Sequence, residues 1–324
     1  MMVRKWLLGL AGAMLLAAAA QAQGYPNRPV TMVIPFAAGG PTDVLGRIMA
    51  QRMSEILGQQ VVVENVGGAG GMTGSTRVMN APADGYQMVL GTVGSHAQNQ
   101  TLYKKPAYNS AADFSYVGLI AEVPLIITTR KDFPANNFKE FVAYAKANAG
   151  KVSYGSAGVG SATHLGCVIL DLAMGVKGTH VPYRGTGPAM QDLQGGRIDY
   201  LCEIVTTGKP QVDGGSVKAL AVMDKARTPV LPDLPTTAEQ GMPVEAYTWN
   251  ALFLPKNTPA DVVKKLNEAM VQAMDSPAVK DRLTGLGANL VAPERRTPEY
   301  LAGFVKSEIA KWAVPIKESG AQVE

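Results

Sequence analysis

The sequence predicts an α/β fold with largely parallel sheets, on three observations. Short apolar strands alternate with amphipathic helices through most of the chain. Glycine-rich turns lead from a strand into a helix at three places. At 324 residues the chain is also long enough for two domains of about 150 residues each.

The first residues stand apart from that fold. Arg4 and Lys5 precede an apolar run from Trp6 to Ala20, and Ala20-Gln21-Ala22 has the small-residue pattern of a cleavage site. Residues 1–22 therefore read as a secretory signal peptide, with Gln23 opening the mature chain. Taking 22 residues from 324 leaves 302, with no second apolar stretch long enough to span a membrane. Formal charge falls from +4 to +2 when Arg4 and Lys5 leave. That is too near neutral for a nucleic-acid partner, and no basic run with interleaved aromatics occurs. Two cysteines are too few for a disulfide scaffold, so a hydrophobic core must carry the fold.

In chain order, Val30 to Phe36 reads as a buried strand, since nearly every residue is apolar or β-branched. Leu45, Ile48, Met49, Arg52, Met53 and Ile56 then fall at helical spacing, and Gly58 supplies a stop. Between them Gly40 suits an N-cap, Pro41 the first helical position, and Asp43 the position three beyond the cap. Further strands are expected at Val61 to Glu64, Gln87 to Gly91, Val117 to Ile120, Leu125 to Thr129 and Val152 to Tyr154. Three more follow at Thr179 to Tyr183, Ile198 to Ile204 and Ala219 to Met223. Helices are expected at Phe138 to Asn148, Thr163 to Met174, Pro188 to Leu193, Ala260 to Met274 and Thr297 to Trp312.

The strand, glycine turn and helix start recurs in "VSYGSAGVGSATHLGCVIL". There Ser161 is the N-cap, and Leu165, Val168, Ile169 and Leu172 share one face. It recurs again in "HVPYRGTGPAMQDL", where Gly187 and Pro188 repeat the order of cap then proline. Each turn leaves backbone N–H groups at the positive end of a helix, where anions are favoured. Each is equally compatible with an ordinary βα connection. If two of them face each other across two domains, they form a cleft lined by N–H groups and hydroxyls.

These stretches, together with "YPNRPVTMVIPFAAGGPTD", "GQQVVVENVGGAGG", "APADGYQMVLGT", "LYKKPAYNSAADFSYVG" and "LPDLPTTAEQGMP", resemble the Bug family over essentially the whole mature chain. Bug proteins are the periplasmic solute receptors of tripartite tricarboxylate transporters. The resemblance implies a two-lobed periplasmic binding protein of type II, a venus flytrap with mostly parallel sheets and a hinge. It implies a monomer that needs no cofactor, acts in the periplasm and delivers its ligand to membrane permease subunits. The ligand it implies is a small carboxylate, aliphatic or aromatic, gripped by Phe36, Ala37, Gly39, Gly40, Pro41 and Thr42 on one side. On the other side it implies Ser156, Ala157, Gly158, Ser161, Ala162, Thr163 and His164, with Asp199 as a further site position. The lobes are expected at 24–124 plus 245–324 and at 125–244, with crossovers near Val123–Leu125 and Met242–Tyr247. Two departures stand out: Ala38 replaces the family's usual proline, and "LCEIVTTGKP" follows "RIDY" where small or amide residues are usual.

Individual residues carry competing readings. Asp43 suits a capping-box acid better than a ligand group, because a free carboxylate would repel an acid. Ser161 and Thr163 can cap a helix and touch a ligand at once. Asp199 would suit an amine, a hydroxyl or a bridging water. Arg184 can clamp a carboxylate or be a solvated surface cation. His96, His164 and His180 lack metal-ligand spacing, so no metal is expected. No P-loop, dinucleotide fingerprint or G-x-S-x-G elbow occurs. The rival reading is a secreted hydrolase or isomerase acting on a small carboxylic acid through Ser161 or His164. Cys167 and Cys202 either form a disulfide in an oxidising compartment or sit as two buried thiols.

Overall fold

Gly40 and Pro41 start a helix where the sequence places them, and that helix runs from Pro41 to Leu57 before Gly58 ends it in the left-handed region at φ 66°. It buries Leu45, Ile48, Met49 and Met53 against the sheet. The computed structural model describes residues 24–323, so the signal peptide expected at 1–22 lies outside the described residues.

The strands are β1 (Val30–Ile34), β2 (Val61–Asn65), β3 (Gln87–Thr92), β4 (Phe114–Arg130) and β5 (Ser153–Ser156), then β6 (Thr179–Pro182), β7 (Tyr200–Ile204), β8 (Val217–Val222), β9 (Tyr247–Pro255) and β10 (Asn289–Leu290). The helices are α1 (Pro41–Leu57), α2 (Met72–Met79), α3 (Asn99–Leu102), α4 (Phe138–Ala147) and α5 (Ala162–Met174). They continue with α6 (Thr186–Gln194), α7 (Val205–Asp213), α8 (Ala260–Asp275), α9 (Pro277–Gly285) and α10 (Pro298–Glu318).

The sheet runs in the order β2-β1-β3-β9-β4-β7-β5-β6, with β8 and β10 also on β4. Pairing is parallel where helical crossovers join the strands, between β1 and its neighbours β2 and β3, and between β5 and its neighbours β6 and β7. It is antiparallel where β4 and β9 bridge these two groups. The two segments expected at Val117–Ile120 and Leu125–Thr129 are one strand, β4. Its first part pairs with β9 as far as Pro124, and from Leu125 onward it pairs with β7 and β8. Pro124 has no N–H to donate, and it stands where β4 changes partners. The second crossing is beside it: Leu125 N–H donates to Ala246 O at 3.0 Å, and Ala246 N–H to Met223 O at 2.9 Å.

Strand direction then places the site. β3 is antiparallel to β9 and β9 to β4, so β1 and β3 run in the direction of β4. β7 opposes β4, so β5, β6 and β7 run back toward the first group. The carboxyl ends of both groups therefore meet at the junction.

Some expectations need correction. α6 is capped by Gly185 and starts at Thr186, so Gly187 and Pro188 lie inside its first turn. Leu172 is half exposed, and α5 instead buries Leu165, Cys167, Leu170 and Met174. The sequence reading has no β9 and no α7. Gly208 and Pro210 interrupt the pattern of α7, whose helix forms over Pro210 all the same.

Cys167 of α5 and Cys202 of β7 are bonded, with Cα atoms 5.5 Å apart and both side chains fully buried. The bridge closes 35 residues, for which chain entropy gives roughly 3–4 kcal/mol. Alkylating the exported protein under denaturing conditions without reductant should leave both cysteines unlabelled. Full labelling would mean two thiols.

Candidate functional site

Four helix N-termini converge on the junction: α1 from the first strand group, and α5, α6 and α7 from the second. Around them lie Phe36, Gly40, Pro41, Thr42, Thr92, Ala157, Ser161, Ala162, Thr163, Thr186, Ile204 and Thr248. They enclose only about 20 Å³, room for about one water, so the loops close on one another here and a ligand needs the cleft to open. No charged side chain lines it. Its wall includes five threonines and one serine, but the surface left open to the cavity is almost wholly apolar.

The first loop keeps its donors open. Gly40 caps α1 with backbone alone, so no side chain takes the first-turn N–H groups of Thr42 and Asp43. Asp43 braces this loop from behind and is 4 % exposed. It accepts hydrogen bonds from Gly39 N–H at 3.0 Å, Arg47 Nε at 3.0 Å and Asn65 Nδ2 at 2.9 Å. Burial pushes its pKa up, but those bonds outweigh burial and hold it below the usual carboxylate value. Gly39 is at φ 80°, a conformation that favours glycine. Asp43 is thus a structural acid that shapes the loop.

The second loop is largely self-satisfied. Ser161 Oγ accepts from His164 N–H at 3.2 Å, and Thr163 Oγ1 from Ala157 N–H at 2.9 Å. Ser156 Oγ takes Gly158 N–H at 3.1 Å, and His164 Nδ1 takes Gly160 N–H at 3.3 Å. What it leaves for a ligand are the N–H groups of Ala162 and Thr163 and the Ser161 and Thr163 hydroxyls, which contact each other at 3.1 Å.

Of the residues expected at the site, Phe36, Gly40, Pro41, Thr42, Ala157, Ser161, Ala162 and Thr163 line the cavity. Ala37, Ser156, Gly158 and His164 are not on its wall, and Gly39 lines a neighbouring cavity instead. Ala37 N–H is spent on Arg184 O at 2.9 Å, a backbone bond that joins the two strand groups. Asp199 lies elsewhere. It precedes β7, at the opposite end of that strand from the junction, where it holds Arg130 Nε at 3.2 Å and Ser153 N–H at 2.8 Å. Thr92, Thr186, Ile204 and Thr248 are additions. Thr186 sits in the third glycine turn and was within reach of the sequence, whereas Thr248 belongs to β9, which was not foreseen.

Behind the second loop the structure brings together two histidines that sequence spacing separates. The rings of His164 and His180 are 4.2 Å apart, and His180 Nε2 contacts Ser156 Oγ at 2.6 Å. Burial, with His180 as a second cause, lowers the pKa of His164 to about 3, and burial lowers that of His180 to about 4. In an unfolded chain both titrate near 6.5. Between those values the unfolded chain binds more protons, so the pair's contribution is full above pH 6.5 and is lost as pH falls toward 4. Glu203 and Asp171, raised by burial, act in the opposite sense. His180→Gln, which can keep the bond to Ser156, should therefore lose less thermal midpoint than the parent between pH 6.5 and pH 4. Parallel pH profiles in scanning calorimetry would refute this.

The family model described as the tripartite tricarboxylate transporter family receptor matches residues 45–321. The chain belongs to that family. It is accordingly a solute-binding receptor and not an enzyme. The chain is also similar to the solved structure of the periplasmic binding protein BugD, at 43 % identity and a TM-score of 0.90 over 93 % of this chain and all of that one. MatC from Rhodopseudomonas palustris with bound malate is 40 % identical, with a TM-score of 0.88 over 90 % of this chain and all of that one. Rpa4515 of R. palustris, solved with adipate, is 34 % identical, with a TM-score of 0.87 over 92 % of this chain and 99 % of that one. The mixed α/β fold is thus that of periplasmic binding proteins. Among the described residues no helix is long and apolar enough to cross a membrane, and no cluster of three or more His, Cys, Asp or Glu could hold a metal.

Proposed function

We propose that this receptor works in the periplasm, binds a small carboxylate between two lobes, and delivers it to the permease subunits of a tripartite tricarboxylate transporter. The lobes are 24–124 with 245–324, and 125–244, hinged where β4 and the segment before β9 cross. The observation that carries the reading is a cavity ringed by helix N-termini and hydroxyls, with no charged side chain on its wall. Neutral donors at helix N-termini stabilise an anion without a fixed countercharge. They release it more readily than a buried arginine pair would. Malate in MatC and adipate in Rpa4515 support the same ligand class. Receptor action in this reading needs one copy of the chain and no cofactor.

The test is a thermal-shift screen of the mature protein against mono-, di- and tricarboxylic acids, aromatic ones included. A true ligand at about 100 times its dissociation constant should add roughly 2.7 kcal/mol of stability. A flat response to every acid, with shifts from neutral sugars or cationic solutes, would discard the carboxylate reading.

A further inference from the structure

Beside the carboxylate cavity lies a second one, of about 500 Å³, between α6 and α7 on one side and the start of α1 on the other. Thr186 lines both. Glu203 is the only charged side chain on the wall of either cavity, and it is fully buried. It falls in the "LCEIVTTGKP" stretch that departs from the family pattern. We propose that this second cavity is a ligand subsite in which Glu203 receives an ammonium group, so that the receptor selects a carboxylate carrying an amine at its far end. This rests on the carboxylate reading above and narrows it.

The local bonds explain only half of Glu203. Its Oε1 accepts Ile204 N–H at 2.9 Å and the Thr207 hydroxyl at 2.8 Å, which braces the start of α7. A neutral glutamine could do the same through its amide oxygen. The other oxygen, Oε2, has no hydrogen-bond partner, and neither has the hydroxyl of Thr206 or of Thr186 on the same wall. Thr186 acts on the carboxyl without meeting hydrogen-bond geometry. Three polar groups without hydrogen-bond partners lie just beneath the wall of one cavity, which is costly unless something reaches them there, since buried polar atoms are nearly always paired. An acceptor oxygen flanked by two hydroxyls, which can also accept, suits a cation with several N–H donors.

Charge separates the ligand classes. The first cavity favours a negative group, whereas the charged form of Glu203 repels a second one nearby. Dicarboxylates are therefore disfavoured, and a zwitterion is favoured. Burial raises the Glu203 pKa to about 7, so an ammonium arriving beside it would readily draw it into the charged form.

Isothermal titration with 5-aminopentanoate, pentanoate and glutarate tests this on a shared five-carbon chain. The parent should bind 5-aminopentanoate at least ten-fold more tightly than the other two. In Glu203→Gln that ratio should fall below two-fold, and in Thr206→Val it should fall by a smaller factor. Thermal midpoints without ligand report whether each variant is folded, and Thr206→Val carries the test if Glu203→Gln is not. The subsite is overturned if glutarate or pentanoate matches the amine in the parent, or if the preference survives Glu203→Gln. It is also overturned if 5-aminopentanoate fails to bind while some other carboxylate does. Only the absence of binding by every carboxylate would instead sink the carboxylate reading, and the subsite with it.

Discussion

Gly70→Ala is expected to weaken ligand binding at least ten-fold while the unliganded protein stays folded. Gly70 sits in the "VGGAGG" turn at φ 60°, pressed against the loop before α5. A Cβ there would lie 2.3 Å from Val159 O, 2.8 Å from the carbonyl carbon of Gly160 and 3.0 Å from Ser161 N. These are backbone atoms of the loop between β5 and α5, in the second strand group, and cannot swing aside as a side-chain end could. Two neighbours repeat the arrangement. A Cβ on Gly94 would meet Gly160 O at 2.8 Å, and one on Gly67 would meet Arg184 O at 2.7 Å. Tyr103 adds a hydroxyl bond to Val159 O at 3.3 Å. All of these contacts cross between the two proposed lobes, so an opened cleft would relieve the clash and a closed one would not. Within its own lobe the alanine costs about 1–2 kcal/mol for a left-handed residue. The remaining penalty falls on closure, and each 1.4 kcal/mol there is a factor of ten in affinity. Small-angle scattering supplies the second readout. Saturating ligand should shrink the radius of gyration of the parent but not of the variant. Equal shrinkage and equal affinity would mean that these glycines do not meet on closure.

What was legible in the sequence was local. Gly40, Pro41 and Ser161 could be read as helix starts because a cap depends on the few residues around it, and all three line the cavity. The alternation of strands and helices likewise fixed the α/β class. Non-local pairing was not legible. Thr92 and Thr248 reach the cavity because β3 and β9 pair in a register that sets Thr92 opposite Asn250, and β9 has no periodicity, being buried along nearly its whole length. Asp199 could be placed next to β7 from its neighbours. Which end of β7 faces the junction depends on its antiparallel pairing with β4. The same holds for His180, which meets His164 only because β5 and β6 pair side by side. Glu203 was visible as an oddity in a quoted stretch, but only its burial and its unpaired oxygen give that oddity a chemical meaning.

Gly40→Val is expected to cost more than 100-fold in carboxylate affinity without unfolding the receptor. At φ −84° and ψ 171° the backbone of Gly40 is extended, a conformation that valine adopts readily. A Cβ there meets Ala37 O and Thr186 Oγ1 at 3.6 Å each and Thr186 N at 3.8 Å, all ordinary contacts. The substitution therefore brings little strain, and the loss of a glycine cap costs about 1 kcal/mol at most. Its two methyl groups, however, extend among Pro41, Thr42 and Thr186, into the space an anion needs to reach the open N–H groups of α1. Apolar methyls there displace a charged group and also cover its donors, so neither rotation nor a bridging water restores the bond. Gly40→Ala, which adds only the tolerated Cβ, should lose about ten-fold or less and so separates crowding from loss of the glycine itself. Titration of the tightest-binding acid against the parent and both variants gives the ranking, with thermal midpoints confirming folding. Parent-like affinity in Gly40→Val would remove the first loop from the binding site and leave the helix N-termini as connections alone.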